Sequence, residues 1–174
     1  LPALEGELAP SSLAAQAGDN GKFSSQGKDV LLVIGHSESL GKSGFTSIVR
    51  SVQQSLVQVF QETQELRFGV AVYRDFSVGK SSVSVLSLKE HPMQVIDFLK
   101  GELSQTDLGN PDPALAVNAG IQAGLTQTGT QAPSEQLLIV LGDVGNHSRQ
   151  DPSQVSEDDL IQLLIKHQPD VFLR

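Results

Sequence analysis

Two short stretches hold side chains whose types and spacing could do chemistry. Gly35-His36-Ser37-Glu38-Ser39 sets an imidazole, two hydroxyls and a carboxylate side by side, and Gly142-Asp143-Val144-Gly145-Asn146-His147 adds a second carboxylate, an amide and a second imidazole. Each follows directly on an apolar run, so each is a loop delivered by a strand. Three chemistries fit parts of the pattern. Gly41-Lys42-Ser43 before a helix, with a later apolar strand ending in Asp143, has the outline of a phosphate-binding loop. Such a loop holds four residues between its glycines so that backbone amides wrap the phosphate; here five separate Gly35 from Gly41, which misplaces Lys42.

Ser37 between Gly35 and Ser39 also has the outline of a nucleophile elbow, the last glycine being replaced by serine. Asp143 followed by His147 or His167 keeps the Ser, Asp, His order of α/β hydrolases. That fold places several strands and an oxyanion loop ahead of its serine, whereas a linker-like arm precedes the strand here. A metal site from His36, His147 and Asp143 is the third option, although loop histidines are more often solvated surface. The bland role for Ser37 and Ser39 is to cap the following helix, and for Asp143 to hold the loop by hydrogen bonds.

The elements that position these loops are legible from hydropathy. Residues 1–28 are rich in Ala, Ser, Gly and Gln without an apolar period and read as a linker or arm. Asp29–Gly35 is a continuous apolar run of strand length, as a strand covered on both faces requires. Gly41 to Ser43 read as loop, and from Phe45 the residues Ile48, Val49, Val52, Leu56, Val59 and Phe60 recur at helical spacing. Arg67–Tyr73 is a second strand, ending at Arg74-Asp75, for which a local salt bridge is expected. Ser82–Leu88 alternates with period two, the mark of an edge strand with one wet face. Helices are expected over Pro92–Leu103 and Pro113–Leu125, a buried strand over Gln136–Gly142, and a helix from Ser156 through Lys166, capped by serine and opened by acids. Val171-Phe172-Leu173 begins another strand. This alternation means a three-layer α/β sandwich: a doubly wound, mostly parallel sheet with one antiparallel edge strand.

Composition narrows the function classes. The chain has 174 residues, 39% of them apolar, enough for one domain with its own core. A net charge of −8 repels a phosphate backbone, so nucleic acid is not an expected partner. No apolar run reaches membrane-spanning length. The absence of cysteine removes disulfides, thiolate ligands and cysteine nucleophiles, and leaves the compartment open between periplasm, exterior and cytoplasm, the first two slightly favoured.

Four stretches in order carry a family resemblance. Asp29–Ile34 with its serine-rich loop, Arg67–Asp75, Gly109-Asn110-Pro111-Asp112-Pro113 leading into a helix, and Leu137–Asp143 together resemble a von Willebrand factor A domain, in the form seen in bacterial members, over about residues 29–174. The resemblance implies that a last strand and helix of the family lie beyond Arg174. It also implies a metal-ion-dependent adhesion site, where Asp-x-Ser-x-Ser, a threonine and a second aspartate hold magnesium. This chain keeps Ser37, Ser39 and Asp143 but has Gly35 for the first aspartate and Pro111 for the threonine, with Glu38 or Asp112 as conceivable substitutes.

The resemblance implies a protein-binding or scaffolding module, metal-independent and not an enzyme, within a larger bacterial protein such as a signalling kinase or secretion-system component. Loops 35–42, 75–80, 108–113 and 143–152 are expected to converge at one end of the sheet and to bind a protein partner. His36, Ser37, Glu38, Ser39, Asp112, Asp143, Asn146, His147 and Arg149 are the expected binding residues. No residue is assigned a catalytic role. Ser37, Ser39 and Asp143 are the weak metal candidates, and no cofactor is expected, magnesium being the one that the resemblance raises.

Overall fold

The computed structural model describes residues 28–62, 66–75, 82–105, 116–130, 135–143 and 155–173. Its elements run β1 (Lys28–Gly35), α1 (Gly41–Glu62), β2 (Leu66–Tyr73), β3 (Val83–Lys89), α2 (Pro92–Glu102), α3 (Val117–Gln127), β4 (Gln136–Leu141), α4 (Glu157–His167) and β5 (Asp170–Leu173). The sheet order is β3-β2-β1-β4-β5; β1 pairs in parallel with both β2 and β4, β5 adds in parallel to β4, and β3 runs antiparallel on β2. This is the mixed, mostly parallel sheet expected, with the period-two strand at its edge.

β1 is central, and its apolar run is buried throughout. Because successive side chains on a strand point to opposite faces, the run divides between two cores. Val30, Leu32 and Ile34 pack with α1 and α2. Leu31 and Val33 pack with Ile121, Ala123 and Leu125 of α3, against which Leu160, Leu163 and Leu164 of α4 also close. Phe45, Val49, Val52 and Leu56 form the buried stripe of α1, at the three- and four-residue spacing of an amphipathic helix. At the start of α4 the Ser156 hydroxyl accepts from Asp159 N at 3.1 Å, while Glu157, Asp158 and Asp159 occupy the first turn, where the helix dipole favours negative charge.

The structure departs from the sequence reading in several places. α1 starts at Gly41, taking in the three residues expected as loop; Gly41 adopts φ +60°, and its N–H donates to Ser37 O at 3.2 Å. Glycine is suited to that left-handed backbone, so the turn converts directly into helix. α3 continues to Gln127, beyond the expected end at Leu125, and the Thr128 hydroxyl donates back to Gly124 O. The expected start of that helix, 113–115, lies outside the described residues. Arg74 pairs well beyond its neighbour: its guanidinium bonds Glu102 on α2, both side chains being buried, and also donates to Ser84 Oγ at 3.2 Å.

β4 is the other departure. Its apolar run implies burial on both faces, yet Leu137 is 38% exposed, and with Ile139, Leu141 and Phe172 it lines a groove of about 950 Å³ beside α1. On that face Ile139 and Leu141 are half-buried against the α1 core and Leu137 is left open, so the run is fully buried on one face and only partly on the other. Among the described residues, no helix is long and apolar enough to cross a membrane.

Candidate functional site

In a doubly wound sheet, the crevice beyond the carboxyl ends of the strands opens where the strand order reverses. Here the chain passes from β1 through α1 to β2 on one side and reaches β4 on the other, so the reversal lies between β1 and β4. Ser37 and Ser39 follow β1 and Asp143 follows β4. The crevice therefore contains two hydroxyls and a carboxylate separated by more than a hundred residues of sequence.

These groups are bonded to one another. The Ser37 hydroxyl donates to Asp143 at 2.8 Å from Oδ1 and 3.0 Å from Oδ2, and the Ser39 hydroxyl donates to Oδ2 at 2.7 Å. The two serine oxygens lie 3.0 Å apart. Each hydroxyl has a single proton. With both protons on Asp143, the serine–serine contact is a close approach of two acceptors. Ser37 Oγ also accepts from Leu40 N at 3.0 Å, which ties the cluster to the turn that starts α1. Ser37 is buried, whereas Glu38, Ser39 and Asp143 are exposed.

Beneath the cluster lies a residue to which the sequence reading gave no part in the site. Tyr73 ends β2 in register with Gly35 of β1, and its side chain belongs to the core on the α3 face. A Cβ on Gly35 would lie 3.0 Å from the Tyr73 hydroxyl oxygen, one on Gly142 would collide with that oxygen, and one on Gly120 of α3 would come within 2.7 Å of the ring. Three glycines from three elements thus form a slot for one ring. Burial, and then the charge of Asp143, push the Tyr73 phenol up to about 12, so it stays protonated. The signal for this slot lay in the sequence as two neighbouring strands ending in glycine, but their shared neighbour was not readable there.

The slot bears on the metal question. Magnesium takes a near-octahedral set of oxygens at about 2.0–2.1 Å. Among the described residues, the crevice presents one carboxylate and two neutral hydroxyls bonded to one another. Gly35 supplies no ligand, and a protonated phenol stands against the place where a side chain at 35 would begin. Among the described residues this donor set does not fit a magnesium ion; Pro111 and Asp112 lie outside them.

His36 is placed differently from the expectation of a loop side chain facing a partner. It continues the alternation of β1, so its ring turns to the α1 face, 2% exposed and stacked on Phe45 with centroids 3.9 Å apart. Burial, reinforced by the Arg74 charge, lowers its pKa to about 4. The ring is a neutral core group and takes no part in the exposed surface. Nor does it stand between Ser37 and Asp143, which bond directly. Lys42 and Ser43 are exposed in the first turn of α1. Of the remaining expected residues, Asp112, Asn146, His147 and Arg149 lie outside the described residues. The loops that were expected to converge are therefore seen here as the 35–40 segment and Asp143.

Comparison with known proteins gives a likeness of fold. The chain is similar to the pilus adhesin SpaC from Lactobacillus rhamnosus GG, with a TM-score of 0.51 at 18% identity, covering 68% of this chain and 15% of that one. The vWF domain of the type V pili tip protein Mfa5 from Porphyromonas gingivalis aligns at 18% identity over 67% of this chain and 38% of its own, with a TM-score of 0.47. This chain thus corresponds to a small part of SpaC. No protein-family model matches it, and no curated protein sequence does. The likeness to SpaC is one of fold alone.

Proposed function

We propose that the chain is a protein-binding module of a larger bacterial protein, which engages its partner without metal at the carboxyl ends of β1 and β4. The observation that carries this reading is the Ser37–Ser39–Asp143 cluster: polar, partly exposed, and held by a rigid sheet at the point where the strand order reverses. A hydroxyl bonded straight to a carboxylate, with the neighbouring imidazole turned into the core, supports recognition over nucleophilic chemistry. The parent protein suggested by the sequence is a signalling kinase or a secretion-system component, and the sequences flanking the module would decide between them.

The test is retention of a partner by immobilised chain. Glu38→Lys should weaken retention while the unfolding midpoint stays near that of wild type, and Arg50→Glu on the exposed side of α1 should leave retention unchanged. Replacing magnesium by a chelator should make no difference. The opposite pattern, with loss on reversing Arg50 and none on reversing Glu38, would move the binding surface to α1. Labelling of Ser37 by a serine-directed phosphonate would replace the binding reading with a hydrolase.

A further inference from the structure

The cluster that fails as a metal site has the makings of another kind of site. Asp143 has about four lone-pair positions. The one proton of Ser37 is shared between Oδ1 and Oδ2 and that of Ser39 lies on Oδ2, so two protons meet the carboxylate and acceptor capacity remains, most of it on Oδ1. Ser37 Oγ is buried and enclosed by Asp143, Leu40 N and Ser39 Oγ, whereas Ser39 Oγ is exposed and, its proton on Asp143, keeps acceptor capacity. Every open position is therefore an acceptor, and the charge is negative. Among the described residues, no Lys, Arg or His pairs with Asp143. The chain as a whole carries a formal −8, which draws cationic groups toward it.

Resting on the binding role proposed above, we infer that this cluster is a socket for a lysine ammonium of the partner, seated on the exposed oxygens of Asp143 and Ser39, with Ser37 holding the carboxylate from below, where related folds would hold a metal. The ammonium has three donors and no acceptor, and every exposed group here is an acceptor. Unlike magnesium, it needs no complete oxygen shell and bonds at ordinary hydrogen-bond distances. A guanidinium suits the site less well, because Ser37 Oγ, 2.8 and 3.0 Å from the two carboxylate oxygens, already stands on the side from which a fork would bond both.

The inference separates from the wider reading in a direct titration. Isotope-labelled chain at low salt is titrated with Nα-acetyl-lysine methylamide, and the Leu40 amide is followed because it donates to Ser37 Oγ. A saturable shift in the millimolar range is expected, as suits a few charge-assisted bonds on a half-open site. The arginine analogue should bind several-fold more weakly and the Nε-acetylated lysine should give no shift. Asp143→Asn should abolish the response. If that variant does not fold, Ser39→Ala, at an exposed position, should weaken it several-fold with the unfolding midpoint retained.

Equal responses to lysine, arginine and the acetylated analogue would overturn the inference. So would a response that survives Asp143→Asn, a saturable magnesium shift at Leu40, or no shift at all, as an internal cation already in place would give. Partner retention that still depends on Glu38 while the lysine probe fails would remove the socket and leave the binding module standing. Loss of Glu38-dependent retention with the lysine response intact would do the reverse.

Discussion

The Tyr73 hydroxyl oxygen stands 3.0 Å from the position a Cβ on Gly35 would occupy, so the end of β2 has filled the space next to the end of β1. Tyr73 reaches on to Gly142 after β4, where there is no room for a Cβ. One phenol therefore spans the carboxyl ends of three adjacent strands, and the Ser37–Asp143 bonds close over it. Absence of a ligand at 35 and presence of an aromatic ring at 73 are two aspects of one packing arrangement.

That coupling is measurable as a double-mutant cycle between Gly142→Ala and Tyr73→Phe. The Cβ at 142 collides with the hydroxyl oxygen, while the ring carbon bearing it lies at an ordinary 3.5 Å. In wild type, Gly142→Ala should lower stability by about 1–3 kcal/mol, the usual range for overpacking. In a Tyr73→Phe background the loss should shrink to a few tenths, a coupling well above the scatter expected of independent sites. Urea unfolding of the four proteins gives the comparison, and additive losses would mean that the ring does not sit in the glycine slot.

Restoring the missing carboxylate should not restore a metal. Gly35→Asp places a side chain against Tyr73, with the hydroxyl oxygen at 3.0 Å and two ring carbons at 3.1 and 3.2 Å from its Cβ. The expected result is a lower unfolding midpoint, by roughly 2–4 °C for each kcal/mol lost in a domain of this size. Millimolar magnesium should not raise it, although a tight site would do so by mass action. A saturable rise in the variant would show that the ring yields and that glycine at 35 is the sole obstacle to the ion.

Much of this arrangement could be read from the sequence, because parallel strands deliver their following loops to one end. Ser37, Ser39 and Asp143 meet as that rule requires, and the apolar runs located β1, β2 and β4. The strand period also contained what was missed. Counting by twos from Val30, Leu32 and Ile34 carries His36 onto the α1 face and into the core. Counting from Leu31 and Val33 sets Gly35 on the α3 face, beside Tyr73 and in line with Leu138 and Val140 of β4 and Gly142 just after it. The Arg74–Glu102 pair was out of reach for a different reason. It joins a strand end to a helix 28 positions later, and nothing in local pattern distinguishes Glu102 from a solvated acid at the end of a helix.

The buried pair carries its own prediction. Arg74 is 2% exposed and burial lowers its pKa, so the protein holds a cation where solvent cannot reach it. Glu102→Ala removes the carboxylate that its guanidinium pairs with. Breaking a buried pair by removing one partner costs about 3–5 kcal/mol, a large share of the stability of a typical domain. Glu102→Gln keeps a hydrogen-bond acceptor and should lose less. Denaturant unfolding reads both variants, and a loss under about 1 kcal/mol for the alanine form would mean that water reaches Arg74 freely.

The last prediction concerns pH. His36 has its pKa lowered from 6.5 to about 4 by burial and by the Arg74 charge. Between those values the unfolded chain takes up a proton that the folded chain refuses, so the unfolded state binds more protons and stability falls as pH falls. The contribution is fully present above pH 6.5, declines toward pH 4, and is gone below it. Integrated over that window, it amounts to at most roughly 3 kcal/mol. His167 is shifted in the same direction, by burial and then by Lys166, so it adds to the slope and remains when His36 is replaced. His36→Phe keeps a flat ring against Phe45 and removes the titration. The variant should therefore lose less stability than wild type between pH 7 and pH 4.5, with the carboxylates common to both cancelling in the difference. Superimposable pH–stability curves for the two proteins, or an imidazole already protonated at pH 6 by NMR, would mean that His36 is in contact with water and free to face a partner.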